Sequence, residues 1–307
     1  MPLLRWDMAD VRDRARAAFL GLAVGDALGA TVEFMTPGEI RVKHGVHRDL
    51  VGGGWLHLRA GRVTDDTEMS LCAARAIVAS EGWSRRAVAD AFAAWLRGAP
   101  TDVGATCRRG IRSYILDGTL EVPRREGDAG NGAAMRVLPV ALLALADFSL
   151  SDRLAVEQAR LTHHHPLSDA ACRTVARLVQ LACVGLSLRR LRAEADALVA
   201  AEPRFAFEPY RGLATGYVVD TLQTVLHFLF ATRSFEECLV AVVNQGGDAD
   251  TTGAIAGALA GAYHGLEGIP RRWLRRLDRA VAEDAVALAD ALVALSPLAR
   301  GAPPRLG

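Results

Sequence analysis

Glycine recurs at every fourth residue through one apolar stretch of this chain, at Gly21, Gly25 and Gly29. Four residues is just over one helical turn, so the three share a helix face. A face without side chains lets a neighbouring backbone come close. The run from Ala15 to Leu28 is otherwise rich in Ala and Leu and apolar nearly all the way round, as in a helix buried at the centre of a bundle. Asp26 stands inside that run and needs a partner if buried. Nothing in the chain alternates like a strand, and no Asn-Gly hairpin turn separates two apolar runs. Apolar residues at helical spacing recur from Trp83 to Leu96, Ala170 to Leu186, Tyr217 to Phe230, Ala254 to Tyr263 and Arg272 to Leu295. The fold class is therefore all-α, with about ten or more helices round one core. Residues 1–300 read as a single domain, and 301–307 as a disordered tail.

Composition excludes several classes. The formal net charge is +1, so no broad field argues for nucleic acid or a membrane surface. Five Cys are spread out with no Cys-x-x-Cys pair, which predicts reduced, buried thiols in a cytoplasmic protein. The charged N-terminus has no signal peptide. The run Ala17 to Leu28 is too short to span a bilayer and is interrupted by Asp26.

Chemistry concentrates in two acidic stretches. Asn244-Gln245-Gly246-Gly247-Asp248-Ala249-Asp250-Thr251-Thr252 lies between two apolar helical runs. Asp and Thr at a helix start cap amide groups and suit the helix dipole. One capping residue is enough, however, and here two Asp flank a single Ala. Asp248, Asp250 and Thr251 also offer the hard oxygen ligands that a divalent cation takes. Thr64-Asp65-Asp66-Thr67-Glu68 repeats the pattern before a second apolar run. Asp65 and Glu68 have the spacing of a capping box, so capping remains open locally. Two such clusters fit a shared site better than two over-decorated caps. Four gathered carboxylates would repel one another, and two divalent cations would cancel that charge. Thr64, Asp65, Asp66, Asp248, Asp250 and Thr251 are the candidate ligands of a two-metal centre.

Other segments are less specific. Glu33 is either a solvated loop residue or a carboxylate facing the same site. Asp102 has the position of a simple cap for the helix that follows it. The small residues from Gly127 to Ala134 suit a loop that presents amides to phosphate, though they match no known phosphate-loop fingerprint. His163, His164 and His165 are adjacent and cannot all point one way, which argues against a three-His metal site.

Taken together, Gly25-Asp26-Ala27-Leu28-Gly29, Thr64-Asp65-Asp66-Thr67, Gly130-Asn131-Gly132 and Gly247-Asp248-Ala249-Asp250-Thr251 resemble the ADP-ribosylglycohydrolase family. The similarity runs from about Ala15 to about Leu295. Ala30 to Phe34, Gly52 to Leu56 and the Asp102-Val103-Gly104 segment bring it nearest to the branch that reactivates dinitrogenase reductase, the nitrogenase iron protein. The resemblance implies an all-helical ADP-ribosylhydrolase fold with a metal centre in a central cleft. It implies two divalent ions, Mn²⁺ ahead of Mg²⁺, on the six residues named above. It makes Asp102 and Glu33 catalytic carboxylates, against the capping reading of Asp102. Gly130, Asn131 and Gly132 become diphosphate and ribose contacts, and His163 and Tyr217 become walls of the ADP-ribose cleft. No role passes to His164 or His165. The implied reaction is hydrolysis of the N-glycosidic bond of ADP-ribosyl-arginine on a target protein. The alternatives are another linkage, such as serine-linked ADP-ribose or a related nucleoside compound, or a non-catalytic ADP-ribose binder. Control by a PII-type regulatory protein and membrane association through an ammonium transporter are implied in the same way.

Overall fold

A computed structural model describes residues 6–212, 214–302 and 305–306. Among them are fourteen α-helices and three short 3₁₀ turns; pairing of the β type is limited to three isolated bridges. The all-α expectation holds. Of the tail, Arg305 bridges Asp147 through its backbone, and residues 303, 304 and 307 lie outside those described.

The glycine stripe organises the centre. Helix α1 (Met8–Gly29) begins at Asp7, whose carboxylate caps the amide of Ala9, and its last two turns are wholly buried. It packs against α12 (Ala249–His264). A Cβ on Gly21 would sit 2.2 Å from the carbonyl oxygen of Gly257, one on Gly25 1.9 Å from that of Gly253, and one on Gly29 2.0 Å from that of Ala249. Each four-residue step along α1 is thus matched by a four-residue step back along α12. The helices are antiparallel and touch backbone to backbone. The glycines are required because any side chain would collide with the partner's carbonyl groups.

This contact fixes the site. It brings the C-terminal end of α1, with Asp26, to the N-terminal end of α12, with Asp248 and Asp250. Around the pair pack α3 (Asp65–Ala79), α8 (Pro166–Cys183), α10 (Val218–Ala231), α11 (Phe235–Val243) and α14 (Arg279–Leu295). The apolar stretch expected from Arg272 to Leu295 is two helices, α13 (Arg271–Arg276) and α14. Asp278 interrupts them by capping the amides of Ala280 and Val281, while its own amide donates to Gly61 O at 3.0 Å. Among the described residues no helix is long and apolar enough to cross a membrane.

Candidate metal centre and cleft

The two acidic stretches sit at helix starts, and neither is used for capping. Thr64 is the N-cap of α3 and makes no side-chain cap bond. Asp248 is the N-cap of α12 and likewise makes none. The cap of α3 comes instead from α1. Asp26 accepts the amides of Thr64 and Thr67 and both of their hydroxyls. The buried Asp of the glycine-rich helix thus finds its partner, and Asp65 and Asp66 are released for other work. The capping-box spacing of Asp65 and Glu68 does not produce a box. Asp65 accepts the amide of Gly104 at 3.1 Å, and Glu68 binds Arg62 and Trp95.

The two stretches meet at Asp66. Its Oδ2 lies 3.3 Å from the hydroxyl oxygen of Thr64, whose hydrogen goes to Asp26, and accepts from the hydroxyl of Thr251 at 3.4 Å, so that it touches a residue of each stretch. Its Oδ1 is buried with no hydrogen-bond partner. Beside it, one carboxylate oxygen from each of Glu33, Asp248 and Asp250 lies within 4.8 Å of the others. Glu33, absent from the ligand set expected from the sequence, is therefore close enough to share a cation with Asp248 and Asp250. Trp55 holds Glu33 in place by donating its indole N–H at 2.6 Å. Asn131 holds Asp248 by donating its side-chain amide at 2.8 Å, with its other hydrogen on Thr221.

Burial of so many acids has an electrostatic consequence. Burial lifts the carboxyl of Asp26 to about 6, that of Asp65 to about 7 and that of Glu33 to about 8. Mutual repulsion adds to the rise for Asp65 and Glu33. Asp66 and Asp250 are pushed well above the usual carboxylate range for the same two reasons. No Lys or Arg lines the cleft among the described residues. The partnerless Asp66 oxygen, the close approach of three carboxylates and the lack of a side-chain cation together fit divalent metal ions bound through oxygen.

These acids floor a cleft of about 420 Å³. Its walls include Glu33, Asp65, Asp102, Gly130, Asn131, Gly132, His163, Asp248, Asp250 and Thr251. Thr64 and Asp66 lie buried beneath it. Tyr217 does not line it; its neighbour Gly216 does, while Tyr217 bridges Gly130 by backbone and leaves its ring partly exposed at the N-cap of α10. Asp102 caps nothing. The N-cap of α5 (Ala105–Asp117) is Gly104, and Asp102 only accepts the amide of Val103 at 2.7 Å. Burial raises its carboxyl above the ordinary value.

Two glycine-rich turns shape the walls. In Gly246-Gly247 both residues have positive φ, and a Cβ on either would strike the carbonyl oxygen of Met35 at 1.9 Å or of Ala214 at 2.0 Å. Gly130 and Gly132 instead make room for the imidazole of His163, whose Nε2 lies 3.2 and 3.3 Å from where their Cβ atoms would be.

Sequence reasoning missed the support behind His163. Arg136, buried, donates to Gly132 O at 2.6 Å and to the Thr162 hydroxyl at 2.7 Å; that hydroxyl lies 2.7 Å from His163 Nδ1. Arginine only donates, so the Thr162 oxygen accepts there. The threonine hydrogen then has Nδ1 as its acceptor. His163 accordingly carries its proton on Nε2, facing the cleft. Burial and the nearby Arg136 and Arg109 hold its pKa well below the ordinary value, so the ring is neutral. The sequence offered one signal, a charged Arg136 inside the apolar run from Ala133 to Val140.

Comparison with known proteins agrees with this arrangement. The family model described as ADP-ribosylglycohydrolase matches residues 7–301. The ADP-ribosyl-[dinitrogen reductase] glycohydrolase of Rhodospirillum rubrum is 54% identical, covering 94% of this chain and 98% of that protein. The ADP-ribosylarginine hydrolase Tri1 of Pseudomonas putida is 32% identical, covering 86% and 74%. A solved structure titled ADP-ribosylglycohydrolase-related protein complex superposes with a TM-score of 0.83 at 36% identity, covering 94% of this chain and 99% of the other. The match takes in every segment that builds the cleft, and the chain belongs to the ADP-ribosylglycohydrolase family.

Proposed function

We propose that this chain hydrolyses the N-glycosidic bond between ADP-ribose and an arginine side chain, with dinitrogenase reductase as the modified protein, and so reverses its inactivation. The observation that carries this reading is near-full-length similarity to an enzyme named for that substrate, joined to a cleft whose acidic floor is left uncapped. Residues 1–300 act as one catalytic unit in this reading. By family resemblance the ions are two Mn²⁺: Thr64, Asp65, Asp66, Asp248, Asp250 and Thr251 would hold them, with Glu33 in reach. When bound, such ions supply Lewis-acid polarisation and activate water near neutral pH.

The chain's own residues do the rest. Asn131 orients Asp248, and Gly104 orients Asp65. Trp55 fixes Glu33, which positions water or substrate. Asp102 accepts through Oδ1 alone, leaving Oδ2 without a protein hydrogen bond among the described residues, and it lines the cleft. It moves a proton at the ribose or the departing guanidine, which leaves poorly unless protonated. His163 offers Nε2–H to an oxygen of the ADP-ribosyl group beside Gly130 and Gly132. Tyr217, whose backbone bridges Gly130, covers the adenine end in this reading. Control by a PII-type protein and an ammonium transporter belongs to this reading through family resemblance alone.

The test is intact-mass spectrometry of arginine-ADP-ribosylated dinitrogenase reductase incubated with the enzyme and Mn²⁺. Loss of one ADP-ribosyl mass with the arginine restored is expected. Release from serine-modified protein and not from arginine-modified protein would overturn the linkage.

A further inference from the structure

Several of the protein's exposed large apolar side chains lie at the mouth of the cleft. Phe34, Val42 and Trp55 are 66%, 91% and 49% exposed and border one groove of about 800 Å³. Its walls Glu33, Phe34 and Trp55 are also walls of the catalytic cleft, so groove and cleft are continuous. The rings of Phe34 and Trp55 lie 5.4 Å apart. Phe34 has φ of +61° and is held there by donating its amide to Gly247 O at 2.6 Å. A bulky residue in that conformation is costly, and such strain clusters where function needs it.

The opposite lip is basic. The first turn of α5 lines the cleft, and the helix then carries Arg108, Arg112 and Leu116 outward at four-residue spacing. These three fall on one stripe. Arg108 and Arg112 form no ion pair among the described residues, and Leu116 is 82% exposed.

We infer that this mouth is a docking face for the folded protein that carries the ADP-ribosyl group. The inference rests on the proposed function and names the surface that recognises the protein part of that substrate. The bond to be cut must lie against the acidic floor, so the arginine side chain leads outward and its protein lies across both lips. An apolar seat with aromatic anchors and a charged rim is the anatomy of a protein interface. The unpaired arginines select a partner that is acidic around the modified residue.

The experiment compares Val42→Asp, Arg112→Glu and Leu116→Asp with the unaltered holoenzyme. None of these residues lines the cleft. Binding to arginine-ADP-ribosylated dinitrogenase reductase is measured as Kd, and hydrolysis of free ADP-ribosyl-arginine as kcat/KM. Each variant is expected to raise Kd about tenfold or more, the scale of losing one interface anchor. Free ADP-ribosyl-arginine should be cut within about twofold of the unaltered rate, because the active cleft is untouched. The Arg112→Glu defect should shrink at high salt and the Val42→Asp defect should not. Unchanged Kd, parallel losses on both substrates, or no binding of the modified protein by the unaltered enzyme would each overturn the proposal. So would a dimer of this chain that Val42→Asp dissolves. If the unaltered enzyme leaves ADP-ribosyl-arginine intact but binds the modified protein through these residues, the proposed reaction fails and the docking face stands.

Discussion

Asp102 accepts an amide hydrogen from its own neighbour and caps no helix. Asp102→Asn should therefore keep the melting temperature and the bound metal, yet lower turnover by about 10²–10⁴-fold, the usual cost of losing acid–base help. Metal content, Tm and the rate of ADP-ribose release decide it. Unimpaired turnover would remove Asp102 from the chemistry, and metal loss would make it a ligand. Local spacing pointed the other way here, because Asp three residues before a helix start looks like a cap and only the family pattern argued otherwise. Asp26 was legible as a buried acid needing a partner, but its four donors from Thr64 and Thr67 are some forty residues away and leave no local trace. His163 makes a second case. Thr162→Val should release the tautomer of His163 and leave Arg136 an acceptor short, costing about 1–3 kcal/mol. Thr162→Ser should restore both. Nitrogen-15 NMR of the ring is the readout: a bare Nδ1 and protonated Nε2 in the unaltered protein, a mixture in Thr162→Val. The same single tautomer in Thr162→Val would show that the hydroxyl does not set it.

At the scale of elements, the α1–α12 contact carries the site, and it was the part of the fold most visible in the sequence. A four-residue glycine repeat has one strong physical reading, a close backbone approach. Its partner in α12, Gly253, Gly257 and Gly261, was hidden only because many small residues surround it. The break between α13 and α14 was not legible, since Leu277-Asp278 contains neither Gly nor Pro and the cap is seen only in the folded chain. Gly25→Ala should push the helices apart at the Gly253 carbonyl, 1.9 Å from the new Cβ. The cost should reach about 3 kcal/mol, at the upper end for overpacking, and metal affinity should fall with it because Asp26 and Asp250 ride on the two helices. Gly127→Ala, with nothing within 4 Å of its Cβ, serves as the control. A Gly25→Ala protein with unaltered Tm and metal binding would contradict the geometry.

For the whole molecule, the acidic cluster sets how stability depends on pH. The folded-state values of about 6 for Asp26, about 7 for Asp65 and about 8 for Glu33 lie above their ordinary values of 3.8 and 4.5. The metal-free folded chain therefore holds more protons than the unfolded chain across this window. Stability drawn from those protons is full at low pH and is lost as pH rises through the folded values. Without metal, Tm should fall from about pH 5 to about pH 8, and Mn²⁺ should reverse the fall with an affinity that grows over the same window as protons are displaced. A metal-free Tm that rises across this range would contradict the burial of the cluster.

If the two acidic stretches form one metal centre, hydrolysis depends on it. Chelator-stripped protein titrated with Mn²⁺, with bound metal and ADP-ribosyl-arginine hydrolysis followed in the same samples, tests it most directly. Two Mn²⁺ per chain are expected, with turnover that appears only as they bind and loss of both in Asp248→Ala. Full hydrolysis by the stripped protein, or by an Asp248→Ala variant that holds no metal, would contradict it.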